Sequence, residues 1–182
     1  TNPKLFPNDA NPSWLAFDSS RTHLYSANET DTYRGAKSGS VSAYAIDRAS
    51  GDLTLLNSVS SEGAGPTHLS IHPSGRHVLV ANYAGGTVTV LPIQANGSLG
   101  AATDVRHDSG PLGPAQAASA PPGSFAISGH DRTHAHMVDS DRSGRYVFSA
   151  DLGMDRLLIW KFDAQRGKLT PNSPAFVQLS GG

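Results

Sequence analysis

The chain has 182 residues, of which 37% are hydrophobic and 16% charged, a length that corresponds to one domain or to part of one. Its formal net charge of −1, without a concentrated basic stretch, argues against nucleic-acid and anionic-membrane partners, and no apolar run approaches the ~20 residues that span a bilayer. Because cysteine is absent, the sequence excludes disulfides, thiolate catalysis and cysteine-type zinc sites.

In chain order, the first predicted unit covers residues 12–60 and contains four short strands. Residues 12–17, 24–29, 41–46 and 53–56 have the alternation, or the β-branched and aromatic content, that is typical of strands. Ser50-Gly51-Asp52 is a turn sequence between the last two of these runs. About seven additional residues around 30–37 form an insertion relative to the later units.

The second unit, residues 66–105, repeats this order of strands and turns. Its strand-like runs are residues 69–71, 77–81 and 87–91, and the Asn-Gly pair at 96–97 predicts a hairpin after which a fourth strand begins near Leu99. An insertion rich in Pro, Ala, Ser and Gly follows at residues 101–133, and a loop of that length is either functional or a solvated spacer. Residues 125–136 favour a role at a site, because charged side chains and imidazoles gather there.

The third unit, residues 134–180, aligns with the other two. A shift of 54 residues superimposes the first unit on the second, and a shift of 69 superimposes the second on the third. Ala-Asn, Ala-Asn and Ala-Asp then coincide at residues 27–28, 81–82 and 150–151. Four short strands in a repeat of about fifty residues are the blade of a β-propeller. We therefore predict an all-β fold, with four-stranded blades and about 3.5 blades of a larger disc.

Such an arc needs further blades to close. Propellers usually have about 4–8 blades, and an open arc exposes strand edges and apolar blade faces. We therefore expect the ring to be completed by another polypeptide, by a remaining C-terminal half or by a symmetry mate. Residues 180–182 stand where the Gly-x-Gly-Pro segment that opens the next repeat would begin.

Several motifs resemble the lactonase family of seven-bladed β-propellers, which includes 6-phosphogluconolactonases and 3-carboxy-cis,cis-muconate cyclases. They are Gly-Ala-Gly-Pro-Thr-His at 63–68, Asn-Tyr-Ala-Gly-Gly at 82–86, Asn-Pro-Ser-Trp-Leu at 11–15, Ala-Asn-Glu at 27–29, Thr-His-Ala-His at 133–136 and Ser-Ala-Asp-Leu-Gly-Met-Asp-Arg at 149–156. The resemblance runs from about residue 11 to residue 182 and corresponds to roughly the first half of a family member. It implies a seven-bladed disc and a site to which this chain contributes only a part, because the Pro-Arg-His and Asn-Glu motifs of the family's later blades are not in this sequence.

His134 and His136 are the main candidates for acid–base chemistry. They lie two residues apart just before an inner strand, and in an extended segment both rings project to the same side. An imidazole with an ordinary pKa of about 6.5 can take a proton from water and give one to a leaving alkoxide. The alternative for either ring is a hydrogen-bonded structural role. His-x-His is also a metal-ligand spacing, but a third ligand is not evident, and the resemblance implies neither a metal nor another cofactor.

The repeat and the requirements of lactone hydrolysis give the other candidates. Glu29 is expected to act as a base or to accept a substrate hydroxyl. The expected substrate-binding residues are the arginines near the imidazoles and in the first insertion, the residues that end the second strands, and an inner-strand histidine: His68, Arg132, Arg156, Asp151, Asn82, Tyr83 and Arg34. For Asn28, Asn82 and Asp151 the alternative is to cap a recurring turn. Four further histidines are expected to be exposed: His23, His72, His77 and His107.

The resemblance implies a carbohydrate-lactone hydrolase of the 6-phosphogluconolactonase type that acts on a small lactone or sugar acid, and we expect it in the cytoplasm. A muconate-lactonising enzyme, in which the same groups deliver a proton to a double bond, stays open. A non-catalytic propeller that binds a ligand also stays open, because propellers host many unrelated functions.

Overall fold

The computed structural model describes residues 4–6, 11–114 and 129–180, and twelve β-strands lie within these ranges. They form three antiparallel four-stranded sheets, each with its strands in chain order. The strands are β1 (Pro12–Phe17), β2 (His23–Asn28), β3 (Ser40–Ile46), β4 (Leu53–Ser60), β5 (Pro66–Ile71), β6 (His77–Asn82), β7 (Thr87–Pro92), β8 (Asp104–His107), β9 (Ala135–Ser140), β10 (Tyr146–Asp151), β11 (Arg156–Asp163) and β12 (Lys168–Gln178).

The predicted all-β propeller with four-stranded blades is confirmed, and the described residues form three complete blades. Blade 1 contains β1–β4, blade 2 contains β5–β8 and blade 3 contains β9–β12. No helix among the described residues is long and apolar enough to cross a bilayer. Residues 115–128, which belong to the insertion predicted at 101–133, lie outside the described residues.

The fourth strand of blade 2 differs from the prediction. Leu99 forms only an isolated bridge to Ile93, and the outer strand is β8, at residues 104–107. The reason is the Asn-Gly turn: Gly97 has a φ of 83°, which closes a small local hairpin before the chain returns to the sheet.

The blades pack face to face, and both faces of blade 2 are buried. Alternate residues of β6 point to opposite sides, with Val78 and Val80 in the core shared with blade 1, and Leu79 and Ala81 in the core shared with blade 3. Every residue of β6 is buried, because neighbouring sheets cover it on both sides. A strand buried in this way reads as a continuous apolar run rather than as an alternating one.

Each inner strand contains a β-bulge at the same place. The register with the second strand shifts between Pro12 and Trp14 in β1 and between Pro66 and His68 in β5, so Ser13 and Thr67 are the extra residues. In blade 3, Ala135 and Met137 have partners in β10, which makes His136 the extra residue. The Ser13 hydroxyl donates to the carbonyl of Pro66 at 3.1 Å, and the Thr67 hydroxyl donates to the carbonyl of His136 at 3.4 Å. The bulge therefore directs a side chain towards the inner strand of the next blade.

Two of the four histidines that were expected at the surface are buried. His72 and His77 are 3% and 5% exposed, and their rings lie 4.4 and 5.3 Å from the ring of Phe162 in blade 3. The expectation was wrong for this pair because the loop between the first two strands of blade 2 packs against blade 3, where His72 Nε2 is 2.8 Å from the carbonyl of Gly144. His107 is exposed, and His23 is half-buried beside Asp18.

Candidate functional site

The second strand of each blade ends in Asn28, Asn82 or Asp151, and we call this end of the sheets the upper end. All three side chains are buried. The two amide groups tie neighbouring strands together, and Asn28 also lines a pocket on blade 1. Asn28 Nδ2 donates to Ser40 Oγ and Ser42 Oγ at 3.0 and 2.8 Å, and Asn82 Nδ2 donates to Thr87 Oγ1, Thr89 Oγ1 and the carbonyl of Ser61 at 3.0 to 3.2 Å.

Asp151 has the turn-capping role for which the sequence left room. Its Oδ1 accepts a hydrogen bond from the backbone N–H of Met154 at 2.9 Å, and the residue is only 2% exposed. Its side chain also meets that of Asp108, which is 6% exposed. Burial, and then the charge of Asp151 and the hydrogen bond to it, raise the pKa of Asp108 to about 8. Asp108 was not among the predicted site residues; the available signal was its position directly after the last strand of blade 2.

His134 is buried at the upper end, between blades 2 and 3. Its Nδ1 lies 3.0 Å from the carbonyl of Tyr83, and its Nε2 lies 2.7 Å from Asp131 Oδ1. The ring stacks on that of Tyr83 with 4.2 Å between centroids, and the residue is 3% exposed. Both ring nitrogens are therefore used within the fold, and the imidazole holds Tyr83 in place.

His136 has a different environment, although it is only two residues away. The sequence predicted that both rings project to the same side of an extended segment. Instead, β9 begins at Ala135 and is bulged at His136, so that His134 is buried while His136 is exposed. The two rings still contact the same side chain, since His136 lies edge-on to Tyr83 with 5.7 Å between centroids.

A pocket of about 360 Å³ at the upper end of blade 3 brings an imidazole and a guanidinium together. It is lined by His136, Ala150, Asp151, Leu152, Asp155, Arg156, Leu179 and Ser180. Arg156 Nε donates to Gln178 Oε1 at 3.0 Å, and its guanidinium carbon lies 4.0 Å from the centre of the Phe176 ring. The arginine is thus held in a fixed orientation beside the exposed imidazole.

Asp155, in the wall of this pocket, is itself held by a histidine. Its Oδ1 lies 2.9 Å from His130 Nε2, both side chains are buried, and His130 Nδ1 contacts the carbonyl of Pro114. The hydrogen bond to Asp155 raises the pKa of His130. His130 was not among the predicted site residues, although it lies in the segment 125–136 for which the sequence favoured a role at a site.

The remaining predicted residues lie around this centre or on blade 1. His68 is half-buried against the ring of Trp14, 4.4 Å away, and burial lowers its pKa. Arg132 is exposed, with Nε 3.6 Å from Asp131 Oδ2. Glu29 is exposed at the end of blade 1, and Arg34 lines two blade 1 pockets of about 560 and 500 Å³ together with Tyr33. The structure therefore brings together Tyr83, His134, His136, Asp151 and Arg156, whereas Arg34 and Glu29 belong to another blade.

Within the described ranges, no group of three or more His, Asp or Glu side chains has the arrangement that a metal ion requires.

Comparison with known proteins gives several relatives that are named 6-phosphogluconolactonases. The chain is 34% identical to a 6-phosphogluconolactonase of Bacillus subtilis (strain 168) over 161 residues, which are 88% of this chain and 41% of the relative. It is 30% identical to a 6-phosphogluconolactonase of Erwinia tasmaniensis over 142 residues, or 78% of this chain and 35% of the relative. The chain thus spans about two fifths of the length of these curated relatives.

A solved structure of a lactonase is also similar to this chain. The periplasmic gluconolactonase PpgL of Pseudomonas aeruginosa superimposes with a TM-score of 0.80 at 30% identity, over 100% of this chain and 48% of that protein. The family model described as "Lactonase, 7-bladed beta-propeller" matches residues 1–182. Since that match extends over the whole sequence, the chain belongs to the lactonase family of seven-bladed β-propellers.

Proposed function

We propose that the propeller to which these three blades belong hydrolyses a carbohydrate lactone, as a 6-phosphogluconolactonase or a related sugar lactonase does. The observation that carries the proposal is the upper pocket of blade 3, in which the exposed His136 and the fixed Arg156 face the same space. The names of the relatives support this reaction class. They do not favour the muconate-lactonising enzyme or the non-catalytic scaffold.

In this proposal, His136 exchanges the protons of the reaction. The imidazole takes a proton from the water that attacks the lactone carbonyl, the ring C–O bond breaks, and the proton returns to the leaving alkoxide. Arg156 stabilises the negative charge that develops on the carbonyl oxygen, or binds an anionic group of the substrate. His134 positions Tyr83, against which His136 packs.

The other predicted residues have supporting roles in the proposal. Glu29, Arg34 and Arg132 are exposed and accessible to a polar substrate, and His68 faces the ring of Trp14 on the inner strands. Asp151 is buried in the lining of the upper pocket, and Asn82 is buried at the end of β6.

The activity is assigned to the complete propeller. We propose that further blades, from the same polypeptide or from a second one, pack on the side of blade 3 on which Phe176 and Leu179 are 39% and 47% exposed. Native mass spectrometry of the purified species tests this. A mass well above the 19.0 kDa of these residues is expected, and a stable, active species of 19.0 kDa would contradict it.

The reaction is tested with δ-gluconolactone and its 6-phosphate as substrates of the complete propeller. H136A is expected to reduce kcat/KM by about 10²–10⁴-fold, the usual contribution of a general acid–base group. H107A, at an exposed histidine that lies outside the upper pocket, is the matched control and should keep the activity. An H136A enzyme with unchanged kcat would refute the proposed role of His136, and turnover of carboxymuconate without lactone hydrolysis would refute the reaction.

The cytoplasm stays our proposal for the location of the protein. One structural relative is periplasmic, so fractionation of the producing cells is the relevant measurement. Recovery of the protein in a periplasmic or secreted fraction would contradict the proposal.

A further inference from the structure

The contact between the carboxyl groups of Asp108 and Asp151 stands out when blades 2 and 3 are compared. In blade 2, Asn82 ends the second strand, and its amide group donates to the carbonyl of Ser61, the first residue after the outer strand of blade 1. In blade 3 the same places are occupied by Asp151 and by Asp108, the first residue after the outer strand of blade 2. We call the contact between the end of one blade's second strand and the end of the preceding blade's outer strand a junction. The junction of blades 1 and 2 joins an amide donor to a carbonyl acceptor, whereas the junction of blades 2 and 3 places two carboxyl groups together.

The third strand of blade 3 does not replace the missing donor. The residues that pair with positions 82 and 80 in blade 2 are Thr87 and Thr89, and both of their hydroxyls lie within hydrogen-bond distance of the Asn82 amide. Their counterparts in blade 3 are Arg156 and Leu158. Leu158 has no hydroxyl group, and the Arg156 guanidinium is held by the Gln178 side chain and the Phe176 ring.

Three oxygens of the pair consequently have no donor. Asp151 Oδ1 accepts from the N–H of Met154, but Asp151 Oδ2 and both Asp108 oxygens have no hydrogen-bond partner among the described residues. All three atoms are shielded from bulk solvent. Two adjacent, buried and unpaired carboxylates would be very unfavourable, because each loses its hydration and they repel each other.

We propose that Asp108 and Asp151 share one proton at neutral pH, and that this acid–carboxylate hydrogen bond fastens blade 2 to blade 3 until alkaline pH removes it. Asp108 is the group that carries the proton, because Asp151 already accepts the Met154 N–H, which favours its ionised form. The Asp108 O–H then donates to Asp151 Oδ2. The shared proton thus has the role between blades 2 and 3 that the amide hydrogens of Asn82 have between blades 1 and 2.

The surroundings of the pair are consistent with this. Asp108 lines a cavity of about 260 Å³ together with the preceding residue, His107, and with Arg156 on β11. Asp151 borders the upper pocket together with His136 and Asp155. None of these groups forms an ion pair with Asp108 in the described part of the chain. Burial raises the pKa of Asp108 to about 8, which agrees with a retained proton.

Loss of the proton affects the upper pocket through the backbone. The N–H of Asp108 donates to the carbonyl of Gly86, and Asp151 pairs in register with Ala135 and Arg156 on either side. Asp151 therefore also fixes the ends of the strands that carry His136 and Arg156. Opening of the junction at alkaline pH would loosen the site, whatever reaction the site performs.

The test is D108N in the complete propeller, because an asparagine donates to Asp151 at every pH, as Asn82 does to Ser61. Infrared spectroscopy of wild type at neutral pH should reveal one carboxylic-acid C=O band that disappears in D108N and above pH about 8. D31N, at an exposed aspartate of blade 1, should keep the band. If D108N does not fold, D151N serves the same purpose, since its amide can donate to Asp108 and its oxygen can accept from Met154.

Amide hydrogen exchange gives a second, local readout. A folded-state pKa raised above the ordinary 3.8 means that stability is complete below that value and is lost as the pH rises to about 8. Protection of the Met154 and Asp108 N–H groups in wild type should thus fall about tenfold per pH unit relative to D108N until pH about 8, and then level off. The absence of a carboxylic-acid band in wild type at neutral pH, or the same pH dependence in both proteins, would overturn the proposal.

Discussion

Substitution of Gly153 by alanine probes how tightly the segment that carries His130 and His134 is packed. Gly153 lies in the turn between β10 and β11, and a Cβ atom added to it would lie 1.6 Å from the carbonyl oxygen of Arg132 and 2.7 Å from its carbonyl carbon. Both atoms belong to backbone, so no side-chain rotation relieves the clash. The segment around Arg132 must therefore move by more than 1 Å, and His130 and His134 must move with it.

The expected cost follows from the hydrogen bonds that join this turn to its neighbours. The N–H of Gly113 donates to the carbonyl of Gly153, the N–H of Leu152 donates to the carbonyl of His134, and His130 bonds to Asp155, all at 2.9 Å. A hydrogen bond contributes about 1 kcal/mol, and more when a charge is involved. Loss of two or three of them gives an expected destabilisation of about 2–4 kcal/mol for G153A.

Urea denaturation of the complete propeller measures this destabilisation, and the proposed lactone hydrolysis is the assay for the effect on the site. G129A is the matched control, because the nearest atoms to its Cβ would be the Tyr83 hydroxyl and a Leu152 methyl group, at 3.0 and 3.1 Å, and then His134 Cδ2 at 3.5 Å. These atoms belong to side chains, and none of the contacts is as short as the 1.6 Å that G153A would create. We expect G153A to lose stability and kcat/KM, and G129A to lose much less of each. Equal unfolding free energies for the two variants would refute the packing argument.

Three further predictions concern the blade junctions. Burial lowers the pKa of His77 from the ordinary 6.5. The stability that the neutral imidazole contributes is therefore complete above pH 6.5 and is lost as the pH falls through the lowered pKa. H77L should make the urea midpoint less sensitive to acid. L79A, in the core between blades 2 and 3, should cost about 2–5 kcal/mol of unfolding free energy, whereas L55A at an exposed position should cost far less. N82A removes the amide that serves three acceptors, and an expected loss of about 2–3 kcal/mol in urea denaturation checks it.

The fold was predictable because each blade has the same type of residue at the end of its second strand. The Asn or Asp at positions 28, 82 and 151 ends a second strand in every blade, and the intervals between these residues define the blade boundaries. The outer strand of blade 2 was not predictable in the same way. A local Asn-Gly hairpin at residues 93–99 imitates a strand start, whereas the four residues of β8 carry little apolar signal of their own.

The site was only partly predictable, since its chemistry depends on contacts between blades. Spacing alone made His134 and His136 equivalent, but a bulge at His136 and the acceptors around His134 give them different environments. The side chains of Asp108 and His72 contact residues of the neighbouring blade. No local sequence pattern predicts these contacts. Sequence periodicity reports which face of a strand is covered, but not which polar group lies on the opposite blade.

The bulge of the inner strands has a consequence for how one blade of a repeated architecture comes to differ from the others. In blades 1 and 2 the extra residue is a serine or a threonine, whose short side chain bonds to the inner strand of the adjoining blade. In blade 3 the residue at the equivalent bulge is His136, which is exposed and lines the upper pocket. A position whose side chain joins neighbouring blades in two copies thus lines a candidate site in the third, where the residue type differs and the bulge is kept.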